Sequence, residues 1–287
     1  MPGMRIEIDH DSAWFRTGGR VVGRYRFGDD HKPYLDELST PAGHVLSLVS
    51  PHDHKHHKGL MYALRVPEVN FWEERSTLSG ELVGRQRHDG FASVVDEGDE
   101  GDEGDEVSFV EDLTWLPRDG GEPLFREVRS IACRSDPEGG QTTWRWSTEI
   151  TPLRDVELSM SQWSAQSASG ALVNYHGLGL RLRRDFGCTG GNAVMLDGVE
   201  VPFAAAMGAA PAECAFHGSV DGTWPVQRAG VRMRQHQGNG LFVLQAPFAF
   251  LAMGPSNLGP LRLSAFETLA EWYEVDVFDL PPATPTV

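Results

Sequence analysis

The chain has no segment able to cross a bilayer as a helix. Its longest apolar run, Leu241 to Met253, is about 13 residues and is broken by Gln245 and Pro247, where roughly 20 are needed. The opening MPGMRIEIDHDSAWF has no apolar stretch between a basic segment and a small-residue cleavage site, so no secretory signal is expected. Cysteine is scarce. Cys133, Cys188 and Cys214 are odd in number, far apart and without a CxxC pair, which predicts reduced, buried thiols. No Lys/Arg-rich stretch is present, which argues against nucleic acid, and against anionic lipid, as a partner. Nucleotide-binding glycine loops, a GxSxG elbow and an HExxH helix are missing too. Together these absences predict a soluble, cytoplasmic protein that binds no membrane.

Helical periodicity is also rare. Phe203–Ala210 is Ala-rich but ends at Pro211, which allows one or two turns at most. What fills the chain instead is alternation. Trp144, Trp146 and Ile150 alternate with Thr143, Arg145, Ser147 and Glu149; Leu178, Leu180 and Leu182 alternate with Gly179, Arg181 and Arg183. Val156, Leu158 and Met160 repeat the pattern, and each such run is what a strand with one buried and one solvated face requires. Further strand candidates are 5–8, 45–49, 107–115, 125–133, 231–235, 241–244 and 273–278. The 32 glycines and 18 prolines fall mainly between these runs, as turn residues should. The fold class expected is mainly β, a large antiparallel sandwich occupying 1–287 as a single domain.

The net charge of −16 is less informative than it looks, because the tract DEGDEGDEGDE at 96–106 holds eight carboxylates, half of that total. The tract cannot bury a core and lacks EF-hand spacing, so a flexible loop is expected rather than a calcium site. Residues 281–287, PPATPTV, are expected to be a frayed tail. A chain of this length buries roughly three quarters of its unfolded surface, so any metal would serve chemistry, not folding.

Chemistry concentrates at Ser50-Pro51-His52-Asp53-His54-Lys55-His56-His57-Lys58-Gly59, where four of eleven histidines occupy six positions. Imidazole serves as acid or base near neutral pH, as a metal ligand and as a hydroxyl contact. In an extended segment His52, His54 and His56 would share one side, and the HxH spacing would let them hold one divalent transition metal with help from elsewhere. Lys55 and Lys58 oppose a cation there and suit an anionic or hydroxyl-rich ligand; they would also lower the histidine pKa values by like-charge repulsion. A histidine-rich surface loop without function is the plain alternative. Fifteen residues on, Phe71-Trp72-Glu73-Glu74 offers rings and carboxylates, and a His–Glu pair suits proton transfer at a carbon bearing oxygen. His176 precedes a strand and is structural unless it faces the cluster, whereas Arg181 lies opposite its strand's apolar positions and could reach a concave sheet face.

The segment Pro51-His52-Asp53-His54-x-His56-His57-x-Gly59-Leu60, followed by Phe71-Trp72, resembles the signature of the bacterial family usually labelled PmoA-like. Lys32-Pro33-Tyr34-Leu35, Thr40-Pro41-x-Gly43 and Tyr175-x-Gly177-Leu178-Gly179-Leu180-Arg181 are similar to its other conserved stretches, so the resemblance spans most of the chain. It implies a β-supersandwich similar to galactose mutarotase and work on carbohydrates. The label's suggestion of methane oxidation does not suit a chain without membrane helices. Lys55 stands where the family has proline, Lys58 where it has arginine, His176 where it has glycine, and Glu68-Val69-Asn70 replaces a longer run before Phe71.

Three readings follow. The first is an enzyme acting on a sugar or keto-sugar by proton transfer, as in mutarotation, epimerisation or elimination. His52 and His54 would contact or protonate substrate oxygen, and His57 or Glu73 would take the opposite role. Trp72, Lys58, His176 and Arg181 would bind the small carbohydrate. The second is a non-catalytic carbohydrate-binding or regulatory protein. The third is a metal-dependent hydrolase or oxygenase using His52, His54 and His56.

Overall fold

The computed structural model describes residues 3–96, 106–136, 138–188 and 192–282. Residues 97–105 of the acidic tract, 283–287 of the tail and the side chain of Cys188 lie outside what is described. The alternating runs form a two-sheet sandwich. The smaller sheet has eight strands, running from Met4–Ile8 at one edge to Gly240–Leu244 at the other; the larger has eleven, from Val199–Val201 to Arg65–Val66. Neighbouring strands are antiparallel except Val69–Asn70, which runs parallel to Leu82–Val95. Among the described residues no helix is long and apolar enough to cross a membrane. The Ala-rich stretch is a single helical turn, Phe203–Ala206, and Cys133 and Cys214 are free and buried.

Inward-facing residues of both sheets make one apolar cluster that includes Phe15, Leu178, Trp115, Trp144, Trp146 and Val275. Trp144 and Trp146, read as core from their alternation, are fully covered. Phe15 meets the Trp144 ring edge-on with centroids 4.8 Å apart, a favoured geometry for the ring quadrupoles.

A polar row interrupts this core on the larger sheet. The Arg129 guanidinium donates to both oxygens of Glu127 at 2.8 Å, to the Tyr25 hydroxyl at 2.9 Å and to Gln86 Oε1 at 3.0 Å. Glu127 also accepts from Trp115 Nε1 at 2.7 Å and Thr148 Oγ1 at 2.5 Å. Tyr25 in turn donates to Glu111. Arg129 and Glu127 form an ion pair, and every charged group in the row has a hydrogen-bond partner, as burial demands.

The smaller sheet departs from the half-buried strands expected. Gly177–Arg181 is buried at every position. It lies between Leu60–Ala63 and Phe250–Gly254, and a second apolar cluster covers the sheet's outer face, with Met61, Trp72, Tyr175, Phe242, Phe250 and Ala252 among its members. Trp72 rests on this face because Gly179 leaves room: a Cβ there would lie 2.8 Å from Trp72 Cη2 and 2.9 Å from Phe250 Cζ. Gly179→Val should therefore displace the indole and cost about 1–3 kcal/mol, read as a lower melting temperature.

Candidate functional site

The histidine segment is not extended. Two tandem turns, closed by His54 N–H to Pro51 O and His57 N–H to His54 O at 3.0 Å each, fold it onto the outer face of the smaller sheet. Ser50 N–H donates to His57 O at 2.7 Å and seals the loop's base. The segment ends at Gly59, whose φ of +69° and whose close approach to Leu35 O (2.5 Å from where a Cβ would be) both require glycine.

This folding separates the histidines. His54, His56 and His57 line a cavity of about 320 Å³. The His54 and His57 rings stack with centroids 4.8 Å apart, and His57 stacks on Phe250 at 5.2 Å. His52 is exposed outside the lining, its Nδ1 3.3 Å from Arg184 Nη2. Among the described residues the only trio of ligating groups gathered within 4.8 Å is the exposed Asp9 and His10 with the half-buried Asp11, so His52, His54 and His56 are not drawn together around a common point.

Glu73 enters the same cavity from the following connection. Asn70 Oδ1 accepts from the backbone N–H of Trp72 and of Glu73 at 3.0 Å each, which fixes the turn. Glu73 Oε1 accepts from the Tyr175 hydroxyl at 2.5 Å and from Ser161 Oγ at 3.1 Å, whereas its buried Oε2 has no hydrogen-bond partner. Burial works against ionisation here, but His176, the bonds from Tyr175 and Asn70 and the charge of Arg65 outweigh it and hold the carboxyl below its ordinary range. Glu74 turns the other way. Its carboxylate lies 3.0 Å from Lys32 Nζ and 3.8 Å from Lys58 Nζ, and with Lys55 and Lys58 it lines a separate polar cleft of about 650 Å³.

The remaining sequence candidates lie beneath the cavity or away from it. Trp72 and His176 are fully buried, their rings 5.5 Å apart. His176 Nδ1 is 2.8 Å from Asn174 Nδ2. Lys58 is tied to Asp29 at 3.1 Å. Arg181 is buried with Phe248 over its guanidinium at 4.1 Å and Asp53 at 3.7 Å. Asp53 also accepts from Arg184 at 2.8 Å and lies 3.4 Å from His54 Nδ1. Sequence reasoning gave no role to Tyr175, Trp163, Arg75 or Phe248, all of which line the cavity. A single tryptophan in the Ser-rich stretch 159–169 was the one available signal for Trp163.

The histidine pKa values fall as expected, but for a different main reason. Burial lowers His56 to about 3, with Lys32 the next contributor, and burial pushes His57 well below its ordinary 6.5 with help from His56 and His54. Lys55 and Lys58 are not among the leading causes. Burial also lowers His176 to about 4. All three are neutral imidazoles at pH 7. Charging them costs stability, which is whole above pH 6.5 and lost as pH falls toward the folded values, at about 1.4 kcal/mol per pH unit each. Glu271 works in the opposite sense, since burial raises it from 4.5 to about 7 and its contribution grows as pH falls through that window. Between pH 6.5 and 4.5 the net expected loss is roughly 2–3 kcal/mol per pH unit, and thermal melts across that range will read it.

The model of one family matches residues 13–284, nearly the whole chain. The chain belongs to DUF6807, a family of unknown function. No curated protein sequence matches this DUF6807 member. Solved structures similar to it include a galactose 1-epimerase from Lactobacillus acidophilus NCFM, with 8% identity, 97% of this chain and 99% of that one covered and a TM-score of 0.43. A galactose mutarotase-like protein from Clostridium acetobutylicum is similar at 9% identity, 97% and 99% coverage and a TM-score of 0.38. The Slr1438 protein from Synechocystis sp. PCC 6803 is similar at 11% identity, 98% and 97% coverage and a TM-score of 0.39. What the cavity of this family member does must be decided by its own side chains.

Proposed function

We propose that the cavity binds a small carbohydrate or keto-sugar and moves a proton at a carbon next to oxygen. The observation that carries this reading is Glu73, an ionised carboxylate in a cavity wall with one buried oxygen, Oε2, left without a partner. A buried polar atom without a partner is costly unless a ligand supplies the missing hydrogen. A substrate hydroxyl, or the carbon acid beside a carbonyl, supplies it, and Glu73 then acts as general base.

The neutral His56 and His57 contribute hydrogen bonds rather than charge. An imidazole N–H directed at substrate oxygen stabilises negative charge as it develops there. His54 is the proton donor in this scheme, a role that requires its imidazolium, giving the proton from Nε2 while the Asp53 carboxylate, 3.4 Å from Nδ1, supports the charge. The proton taken by Glu73 and the proton given by His54 balance whether a ring opens and recloses or an enol forms and collapses. Phe242, Phe248 and Phe250 line the same cavity and offer apolar surface to the C–H faces of a sugar.

The test is incubation of the protein in D2O with a panel of aldoses, 3-keto-glycosides and sugar acids, followed by NMR. Accelerated anomeric exchange, epimer formation or deuterium at the carbon next to a carbonyl is the expected result. Binding without any exchange across the panel would sink the catalytic reading and leave a carbohydrate-binding protein.

A further inference from the structure

Arg75 lies in the mouth of the cavity, exposed to solvent and without an ion pair to any described residue. That is unexpected in a chain with 41 acidic and 25 basic residues, because two carboxylates precede it directly. Both are engaged elsewhere: Glu73 by Tyr175 and Ser161, Glu74 by Lys32 and Lys58. Trp163 shares the lining and is 62% exposed, although an indole normally seeks cover. Its backbone is tied to the cavity wall, since the Trp163 N–H donates to Ser161 Oγ at 3.1 Å, the hydroxyl that also serves Glu73. An unpaired guanidinium and an open indole face at one cavity mouth form a combination that recognises a ring carrying negative charge.

The direction of binding follows from charge. An anion is repelled by the Glu73 carboxylate and attracted by Arg75, so the charged group of a ligand belongs at the mouth and its reacting carbon deeper in. The histidines do not compete for the anion, because His56 and His57 are neutral at pH 7. We propose, building on the carbohydrate reading above, that the ligand is an anionic sugar whose carboxylate or phosphate is held by Arg75 while its ring stacks on Trp163. A guanidinium fits both groups by the same forked pair of N–H donors, so the source of the charge is left to experiment.

The decisive experiment is calorimetric titration of the full chain with glucose and galactose, with their uronates and with their 6-phosphates, in low salt. Wild type should bind one charged class at least tenfold more tightly than the neutral parent, and 0.5 M NaCl should erode that margin. Whether uronate or phosphate shows the larger margin identifies the source. In Arg75→Gln the margin should collapse toward one, and in Arg75→Lys it should survive in part. Trp163→Ala should weaken charged and neutral ligands alike, by about tenfold. Arg75 and Trp163 are solvent-exposed, so unchanged melting temperatures will show that the variants fold. Neutral sugars binding as well as charged ones, or a margin that survives Arg75→Gln, would overturn the anionic assignment and leave the carbohydrate reading standing. Failure of both classes to bind would overturn both.

Discussion

Replacing Arg129 by methionine is expected to destabilise the protein by about 3–5 kcal/mol, the penalty for leaving a buried carboxylate without its cation. Glu127 loses the N–H donors of Arg129 Nε and Nη2 in that variant, while Tyr25 and Gln86 each lose one. Thr148 and Trp115 still donate to Glu127, but two neutral bonds do not offset a buried charge. In a chain of this size the change corresponds to a fall of roughly 10 °C in melting temperature. The double variant Glu127→Gln, Arg129→Met separates charge from shape. At position 127 the new amide oxygen can still accept from Trp115 Nε1 while its amide nitrogen donates to the Thr148 hydroxyl, which turns to accept, and that pair no longer buries a net charge, so more than half of the lost stability should return. If the double variant is as weak as the single one, the row matters through packing rather than through pairing.

Glu73→Gln should abolish most turnover, by about 10²–10⁴-fold, the usual contribution of a positioned base. The substitution keeps the volume and an Oε1 acceptor for Tyr175 and Ser161, so the melting temperature should move little. A variant within threefold of wild type would remove Glu73 from the mechanism. Tyr175→Phe is the companion experiment. The Tyr175 hydrogen bond helps hold the Glu73 carboxyl low; without it the carboxyl binds its proton more readily, and the acid limb of the pH–rate profile should move to higher pH. A merely structural tyrosine would lower activity without moving that limb.

Much of the larger sheet was legible because its strands keep strict alternation, as at Trp144 and Trp146. Leu82–Val95 was not, and the reason is physical. Its inward positions include Gly84, where Phe71 takes the space of a side chain, and Gln86, which belongs to the polar row. Two register shifts, between His88 and Gly90 and between Phe91 and Ser93, then break the period. Gly177–Arg181 was read as half-solvated because glycine and arginine hold alternate positions, and only the second apolar cluster shows why they are covered. At the site, histidine density was visible, but their grouping was not. Turn closure at Pro51–His54 and His54–His57 decides which rings converge, and one-dimensional spacing carries no record of it.

The smaller sheet is buttressed on its outer face by the very segments that line the cavity, so the protein has in effect a third layer made of cavity-wall elements. Tyr175 and Phe250 are at once ballast and cavity wall. Proteins that hang their active loops on an otherwise finished scaffold can vary those loops freely. Here the same exchange would unroof a sheet, and selection for a new ligand should proceed by changes at the rim while the floor is inherited almost intact.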